Sequence, residues 1–503
     1  MSFPDAPILV AGLRQAAWLS PDGEIDSLDL AEAAARAEHS PVIVCHAPEV
    51  AARLELKTLS RALDVLDLYA FTRPATFCLP TPGGLADALG LPLPGNDAEA
   101  QAETLMQATQ VLLDQLAAPA YPDRPEAQRL ARTMQSDGWP WGDVVVEVLG
   151  APRGGEDAGS GLAVWNALPE WEDEAPPPPP DDLPVGEEEA QERLRLLLGA
   201  GSEDRAPQRL YAQQVSAAFK PRPMPDVPNA VMAEAGTGVG KTLGYLAPAT
   251  LWAEKNKGPV WLSTYTKNLQ RQIDQELDRY FPDRTEKSNR VVLRKGRENY
   301  LCLLNLEEAI GRAGLVPENR IRLALIARWA RYTRDGDMNS GDLPAWLLQR
   351  IGPGRASGLT DRRGECVYSA CTHWRRCFIE RNIRKAKHAE LVIANHALVM
   401  IHAALYGQGD DAPTRYVFDE GHHLFDAADS AFSSFLSGQE MAELRRWVRG
   451  GEGNRRDRSR DRVSDRGTCR HGTRCRRCRA DAFTRVEPFS RHVNRRLPVA
   501  PRP

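Results

Sequence analysis

The segment Glu234-Ala-Gly-Thr-Gly-Val-Gly-Lys-Thr242 restricts the possible folds of this chain more than any other. Small residues in succession let consecutive backbone N–H groups wrap phosphate oxygens without side-chain collision. Ala235, Gly236, Thr237, Gly238, Val239 and Gly240 would form that wrap, with Ala235 where such loops carry their first glycine. Lys241 would reach the β- and γ-phosphates of ATP, and the Thr242 hydroxyl would ligate Mg²⁺. Such a loop works only between a buried strand and a helix whose positive end faces the anion. We therefore expect a strand at Ala230–Ala233 and a helix from Leu243.

A partner for this loop stands downstream at Tyr416-Val-Phe-Asp-Glu-Gly-His-His423. An apolar strand ending in Asp-Glu puts both carboxylates at the carboxyl edge of a parallel sheet, where ligands bind. Asp419 is expected to hold Mg²⁺ through water and Glu420 to polarise the attacking water, so Lys241, Asp419 and Glu420 are the candidate catalytic residues. His422 is a candidate for coupling the nucleotide to other moving parts. Further buried strands are expected at Pro259–Ser263, Val291–Leu293 and Leu391–Ala394.

Between loop and acidic box lie Cys302, Cys366, Cys371 and Cys377. Four thiolates suit either an iron–sulfur cluster or a structural Zn²⁺, and spacing alone does not choose between them. Cationic residues crowd these cysteines: Arg294, Lys295 and Arg297 before the first, and Arg375, Arg376, Arg381, Arg384, Lys385 and Lys387 around the last. With Tyr300 and Trp374 as stacking platforms, such a rim would suit a single nucleic-acid strand. Thr264, Thr266, Lys267 and Asn268, just past a strand, offer further donors for phosphate contacts.

A chain of 503 residues exceeds one core. Its net charge of -4 gives no global attraction for nucleic acid, so binding would need local basic surface. No apolar run is long enough to cross a bilayer and the start lacks a basic signal-peptide region, so a cytoplasmic protein without a membrane partner is expected. Residues 1–150 read as an α/β domain with strands at Pro7–Leu13 and Pro41–His46 and an amphipathic helix at Asp97–Ala118. Residues 151–192 turn to Gly, Pro, Asp and Glu, including Pro176–Pro180, and read as a semi-rigid acidic linker. Residues 193–450 hold the nucleotide motifs, with the cysteine-bearing insertion at about 294–390. In 451–503 arginine occurs 16 times, with no lysine, isoleucine, tyrosine or tryptophan. That stretch reads either as a disordered nucleic-acid-binding arm or, the expectation we favour, as the product of a shifted reading frame.

Glu234–Thr242, Ser263-Thr-Tyr-Thr-Lys-Asn-Leu-Gln-Arg-Gln272, Lys295-Gly-Arg-Glu-Asn-Tyr-Leu-Cys302, the cysteine trio, Ala394-Asn-His-Ala-Leu398 and Asp419-Glu-Gly-His422 follow one another in a recognisable order. Over about Arg205–Arg449 the sequence resembles the DinG and XPD branch of superfamily 2 DNA helicases, with a DEAH-type box. The resemblance implies a RecA-like P-loop lobe with a helical insertion and a [4Fe–4S] cluster on the four named cysteines. It implies ATP-driven 5′→3′ movement on single-stranded or forked DNA in repair or replication, with a single-stranded-DNA-binding protein as a possible partner. Gln208 would read the adenine edge. Ser430–Arg449 resembles the start of the family's helical arch, and the expectation is that a second motor lobe is missing.

Residues 1–120 resemble, more distantly, the DnaQ-like 3′→5′ exonucleases fused to some DinG relatives. The likeness rests on Ile8–Trp18, Val42-Ile-Val-Cys-His-Ala47, Asp64-Val-Leu-Asp-Leu-Tyr69 and the helix near Asp97. That chemistry needs carboxylates holding two metal ions. Gly12-Leu13-Arg14 stands where the family has its first acids and the late histidine is missing. Asp97 remains a lone candidate, and Asp22-Gly-Glu24 falls in a turn, so a degenerate, structural or DNA-positioning domain is expected. Two other readings of the whole chain stay open: a nucleotide-modulated DNA-binding protein without helicase activity, and a Zn²⁺-dependent NTPase switch without nucleic acid.

Overall fold

The computed structural model of the chain describes residues 3–59, 61–150, 161–199, 205–224, 227–313, 317–339, 341–352, 356, 358–361, 366–406, 413–433, 438 and 441. The arginine-rich stretch 451–503 and most of the expected arch lie outside these residues.

The N-terminal part is built on a five-stranded sheet of β1 (Ile8–Ala11), β2 (Gln15–Leu19), β3 (Ile25–Asp29), β4 (Val42–Val44) and β5 (Ala62–Asp64). Their order is β3-β2-β1-β4-β5. The β1/β2 and β2/β3 joins are antiparallel, whereas β1/β4 and β4/β5 are parallel. β2 and β3 can be adjacent and antiparallel because Ser20–Glu24 closes a tight turn, with Gly23 at φ +92° where a side chain would be strained. Helix Ala98–Ala117 packs on this sheet through Leu105, Ala108, Leu112 and Leu116, as its apolar spacing foretold. Asp97 is its N-cap: the carboxylate accepts the Ala100 N–H at 2.7 Å.

The second sheet is wholly parallel: β6 (Val260–Thr264), β7 (Val291–Leu293), β8 (Leu391–Asn395) and β9 (Arg415–Phe418), in the order β7-β8-β6-β9. Residues Val260–Thr264 are buried throughout, as expected of a parallel strand covered on both faces. Helices Lys241–Asn256 and Lys267–Tyr280 cover it through Leu246, Trp252, Ile273 and Leu277.

One expectation needs correction. Ala230–Ala233 does not form a strand, and Val231 and Met232 are exposed, Met232 completely. A short apolar run becomes a strand only where a neighbour supplies ladder partners. Pro228 lacks an N–H, and among the described residues β9 is paired on its β6 side alone.

The N-terminal part and the cysteine-bearing insertion share one core. A single apolar cluster runs from Ile8, Leu66 and Phe71 through Trp141 and Trp165 to Ile326, Trp329, Trp346 and Phe378. Arg328, buried in it, donates to the Phe71 carbonyl at 2.6 Å and the Tyr121 hydroxyl at 2.7 Å. The stretch read as a linker also differs from a free spacer. Leu162, Val164, Trp165 and Leu168 are buried, and a helix begins at Glu187; Pro176–Pro180 joins no helix or strand. Indole and aliphatic groups inside an acidic stretch gain more by burial than their charged neighbours lose by lying at the surface.

Candidate nucleotide site and cysteine module

At the carboxyl edge of the parallel sheet, helix Lys241–Asn256 begins directly after Gly240, which has φ +85° and lies against Gln208 so closely that a Cβ would collide with the Gln208 amide. Glycine is therefore required there for conformation and for space. Gln208, buried, donates its amide N–H to the Gly240 carbonyl at 2.9 Å, and Arg205 donates to the Gly238 carbonyl at 3.3 Å. Gln208 thus sits on the phosphate loop itself.

The two halves of the candidate nucleotide site meet. Lys241 Nζ is 3.3 Å from Glu420 Oε1. Asp419 is held by its backbone N–H donating to the Ser263 carbonyl at 2.8 Å, which ties the acidic box to the end of β6. Glu420 adopts φ +55°, a left-handed conformation a glutamate seldom takes, so neighbouring structure must hold it there. Burial raises the Asp419 carboxyl above its ordinary value, while a Tyr245 hydrogen bond works the other way.

Tyr245 is a site residue that the sequence reading missed. Its hydroxyl donates to Asp419 Oδ2 at 3.2 Å, and burial raises the phenol well above its usual range. The signal was present: position 245 is four residues after Lys241, hence on the same helix face. His422 is exposed, with Nδ1 3.5 Å from Glu420 Oε2. Its neighbour His423 stacks on Tyr265, ring centroids 3.9 Å apart.

The candidate phosphate donors separate by exposure. Thr266, Lys267 and Asn268 are exposed; Thr266 caps its helix by accepting the Leu269 N–H, and Lys267 donates to Asn299 at 2.7 Å. Thr264 is fully buried and its hydroxyl has no partner among the described residues. It closes β6 with its side chain turned inward, which removes it from a surface contact.

The cysteine module shows the same sorting. Cys302, Cys366, Cys371 and Cys377 are all partly buried and unbridged. Each sulfur accepts a backbone N–H from just downstream: Asn305 to Cys302, Tyr368 to Cys366, His373 to Cys371, Ile379 and Glu380 to Cys377. Arg297 also donates to Cys366 at 2.9 Å. Four thiols with N–H donors at their sulfurs are the donor set a thiolate-bound cluster or Zn²⁺ requires. Among the described residues, no three His, Cys, Asp or Glu side chains are drawn close enough to hold a metal ion. Burial, the largest cause, with neighbouring Asp361 adding at Cys302 and Glu380 at Cys377, pushes the Cys302 thiol to about 12 and the Cys377 thiol to about 11 against the effect of backbone N–H groups. Cys45 and Cys78 are buried core thiols in the N-terminal part.

Several cations expected on a strand-binding rim are internal. Lys295 pairs with Asp337 in the interior, Arg297 lies 2.6 Å from Asp361, and Arg294 sits over the Trp261 ring. Tyr300 is 2% exposed and so cannot stack on a base. Trp374 packs edge-on against Trp171, centroids 6.1 Å apart. These groups occur beside cysteines in sequence because they build the module, not only its surface.

Comparison with known proteins finds similarity to DNA helicases over part of the chain. The chain is 33% identical over 258 residues to the ATP-dependent DNA helicase YoaA of Escherichia coli, covering 48% of this chain and 37% of that protein. It is 29% identical over 260 residues to the 3′-5′ exonuclease DinG of Bacillus subtilis, covering 51% of this chain and 26% of that one. The ATP-dependent helicase DinG of Mycobacterium tuberculosis is 29% identical over 237 residues, 43% of this chain and 35% of that protein. Over about half its length the chain is similar to helicases named YoaA and DinG. It spans well under half the length of these curated relatives. No family model matches it.

The positions resembling exonuclease residues have other employment. Asp64, fully buried, accepts the His46, Ala47 and Leu66 N–H groups and the Arg350 guanidinium. Asp97 caps a helix, and Asp22 and Glu24 belong to the β2–β3 turn. Arg350 and Arg328, which fasten this part to the cysteine module, carried no local sequence signal, since their partners lie hundreds of residues away.

Proposed function

We propose that this chain is the nucleotide-binding part of an ATP-dependent DNA helicase of the DinG type. The meeting of Lys241 with Glu420 beside Asp419, at the carboxyl edge of a parallel sheet, carries the reading. Lys241 and the backbone of Ala235, Gly236, Thr237, Gly238, Val239 and Gly240 would receive the phosphates. Thr242 and Asp419 would hold Mg²⁺, and Glu420 would orient the attacking water. Lys241 pairs with Glu420; phosphate oxygens would compete with that carboxylate for the same ammonium. Gln208, already on the loop, is proposed as the adenine contact.

The substrate proposed is single-stranded or forked DNA, moved along 5′→3′, with Thr266, Lys267 and Asn268 as exposed contacts to its backbone. A single-stranded-DNA-binding protein is a proposed partner and the cytoplasm the proposed location; no helix among the described residues is long and apolar enough to cross a membrane. Cys302, Cys366, Cys371 and Cys377 are the proposed ligands of a [4Fe–4S] cluster, supported by the four-thiol donor set and the N–H groups at each sulfur. When bound, such a cluster would cross-link Cys302 to the later trio. The mixed five-stranded sheet supports a DnaQ-like ancestry for the N-terminal part, and the engagement of Asp64 and Asp97 supports its being inert as a nuclease.

Nucleotide binding by the purified chain, followed with and without an oligothymidylate, tests the reading. Mg²⁺-dependent ATP binding that is lost in Lys241→Ala is the expected result; absence of nucleotide binding would refute it. DNA affinity that is the same with and without nucleotide would favour a binding protein over a motor. Visible absorbance of anaerobically purified protein distinguishes an iron–sulfur cluster from colourless Zn²⁺.

A further inference from the structure

The acidic segment after Leu168 lies across the basic helix Phe378–His388 and the turn before it. Trp171 is its anchor. The Trp171 N–H donates to the Arg375 carbonyl at 2.8 Å and its indole N–H donates to the Trp374 carbonyl at 2.9 Å. The Arg384 guanidinium sits 3.5 Å from the centre of the Trp171 ring. Carboxylates flank this ring on both sides: Glu170 is 2.8 Å from Arg376, Asp173 is 3.4 Å from Arg384, and Glu174 is 3.1 Å from His388. Arg381 donates to the Pro169 carbonyl at 2.6 Å. Arg381, Arg384 and His388 recur at helical spacing, so one face of the helix receives the whole segment.

Chemically, this is an aromatic plane between anions, laid on cations and a second aromatic ring. A single nucleic-acid strand offers the same combination, bases that stack and phosphates that pair. The two kinds of contact differ in strength. Ion pairs as exposed as these contribute little each and weaken with salt. A polyphosphate strand on the same cations gains by releasing its condensed counterions. The segment is therefore held firmly enough to rest there, yet weakly enough in its charged part to be exchanged.

We propose that residues 169–174 form an internal strap on a nucleic-acid-binding face of the cysteine module, and that strap and single strand exclude one another there. The proposal rests on the DNA reading given above and adds to it a regulated face: the basic surface is covered until a strand displaces the chain's own acidic segment. The N-terminal part, joined to the strap through buried Trp165 and Leu168, would then register whether the face is filled.

The full chain and its triple variant E170Q/D173N/E174Q, titrated with an oligothymidylate at low salt, provide the test. Weakening the strap should tighten binding by about fivefold, the equivalent of one exposed ion pair ceasing to compete. Hydrogen exchange at the Trp171 amide of the unaltered chain should quicken when the oligonucleotide is added. Equal affinity of the two proteins, with the Trp171 amide still protected in the bound chain, would overturn the strap while leaving the DNA reading intact. If neither protein binds the oligonucleotide, the DNA reading itself fails. A melting temperature lowered in the triple variant with unchanged affinity would make the strap a structural fastening only, and that too would overturn the proposal.

Discussion

Arg350 Nη1 lies 2.6 Å from Asp64 Oδ2, a contact spanning 286 residues of sequence. The same nitrogen is 2.9 Å from Asp67 Oδ1. Asp64 is 1% exposed, and its oxygens also accept three backbone N–H groups, so it is an ionic post built into the N-terminal part. Through it the cysteine-bearing insertion and the mixed sheet behave as one body.

Removing the guanidinium should therefore be costly. Arg350→Ala leaves two buried carboxyl groups facing each other and is expected to lower stability by about 3 kcal/mol, as for other broken buried pairs. Urea unfolding of the two proteins measures this. An unchanged midpoint would mean that the apolar cluster alone fastens the parts.

Asp67 makes that junction pH-sensitive. Burial raises its carboxyl from 3.8 to about 7, with Asp64 adding to the rise and Arg350 opposing it. The folded chain thus holds this proton more tightly than the unfolded chain. The stability from this group is complete below about pH 4, declines as pH rises toward 7, and is level above. Asp67→Asn should remove that part of the slope, and thermal unfolding across this range would reveal it.

Tyr245 is expected to position Asp419. Tyr245→Phe removes one hydroxyl without changing the fold of the helix. Turnover of ATP should fall by about tenfold or more, corresponding to about 1.5 kcal/mol or more for a hydrogen bond to a charged group, while nucleotide affinity without Mg²⁺ stays the same. An equal loss of affinity without Mg²⁺ would place Tyr245 against the nucleotide instead.

Lys241 and Glu420 should separate binding from chemistry. Lys241→Ala is expected to abolish tight nucleotide binding. Glu420→Gln should retain it and slow hydrolysis on the order of 100-fold, the scale of losing one well-placed catalytic group. Comparable turnover by the Glu420→Gln protein would remove Glu420 from the chemistry.

How far the sequence could be read depends on the range of the forces involved. β6 and β8 were visible because a strand buried on both faces is a run of apolar residues, and helix Ala98–Ala117 because one buried face leaves a helical period. Ala230–Ala233 looks the same in sequence, yet it stays exposed, since a strand also needs a neighbour. Thr264 read as a surface donor and Tyr300 as a stacking platform because their residue types are polar or amphipathic; packing against the sheet and the module puts both inside. Trp171 sat unnoticed in an acidic stretch because its partners, Trp374 and Arg384, are some two hundred residues further on.

The phosphate-loop, acidic-box and cysteine motifs were legible in the sequence alone, because the chemistry they suggest depends on residue type at close spacing. Tertiary structure decided which cations are buried, which carboxylates are already engaged, and that the acidic stretch lies on the basic helix. Those outcomes depend on burial and long-range pairing, where a charge is stable only beside a partner that the folded chain brings to it.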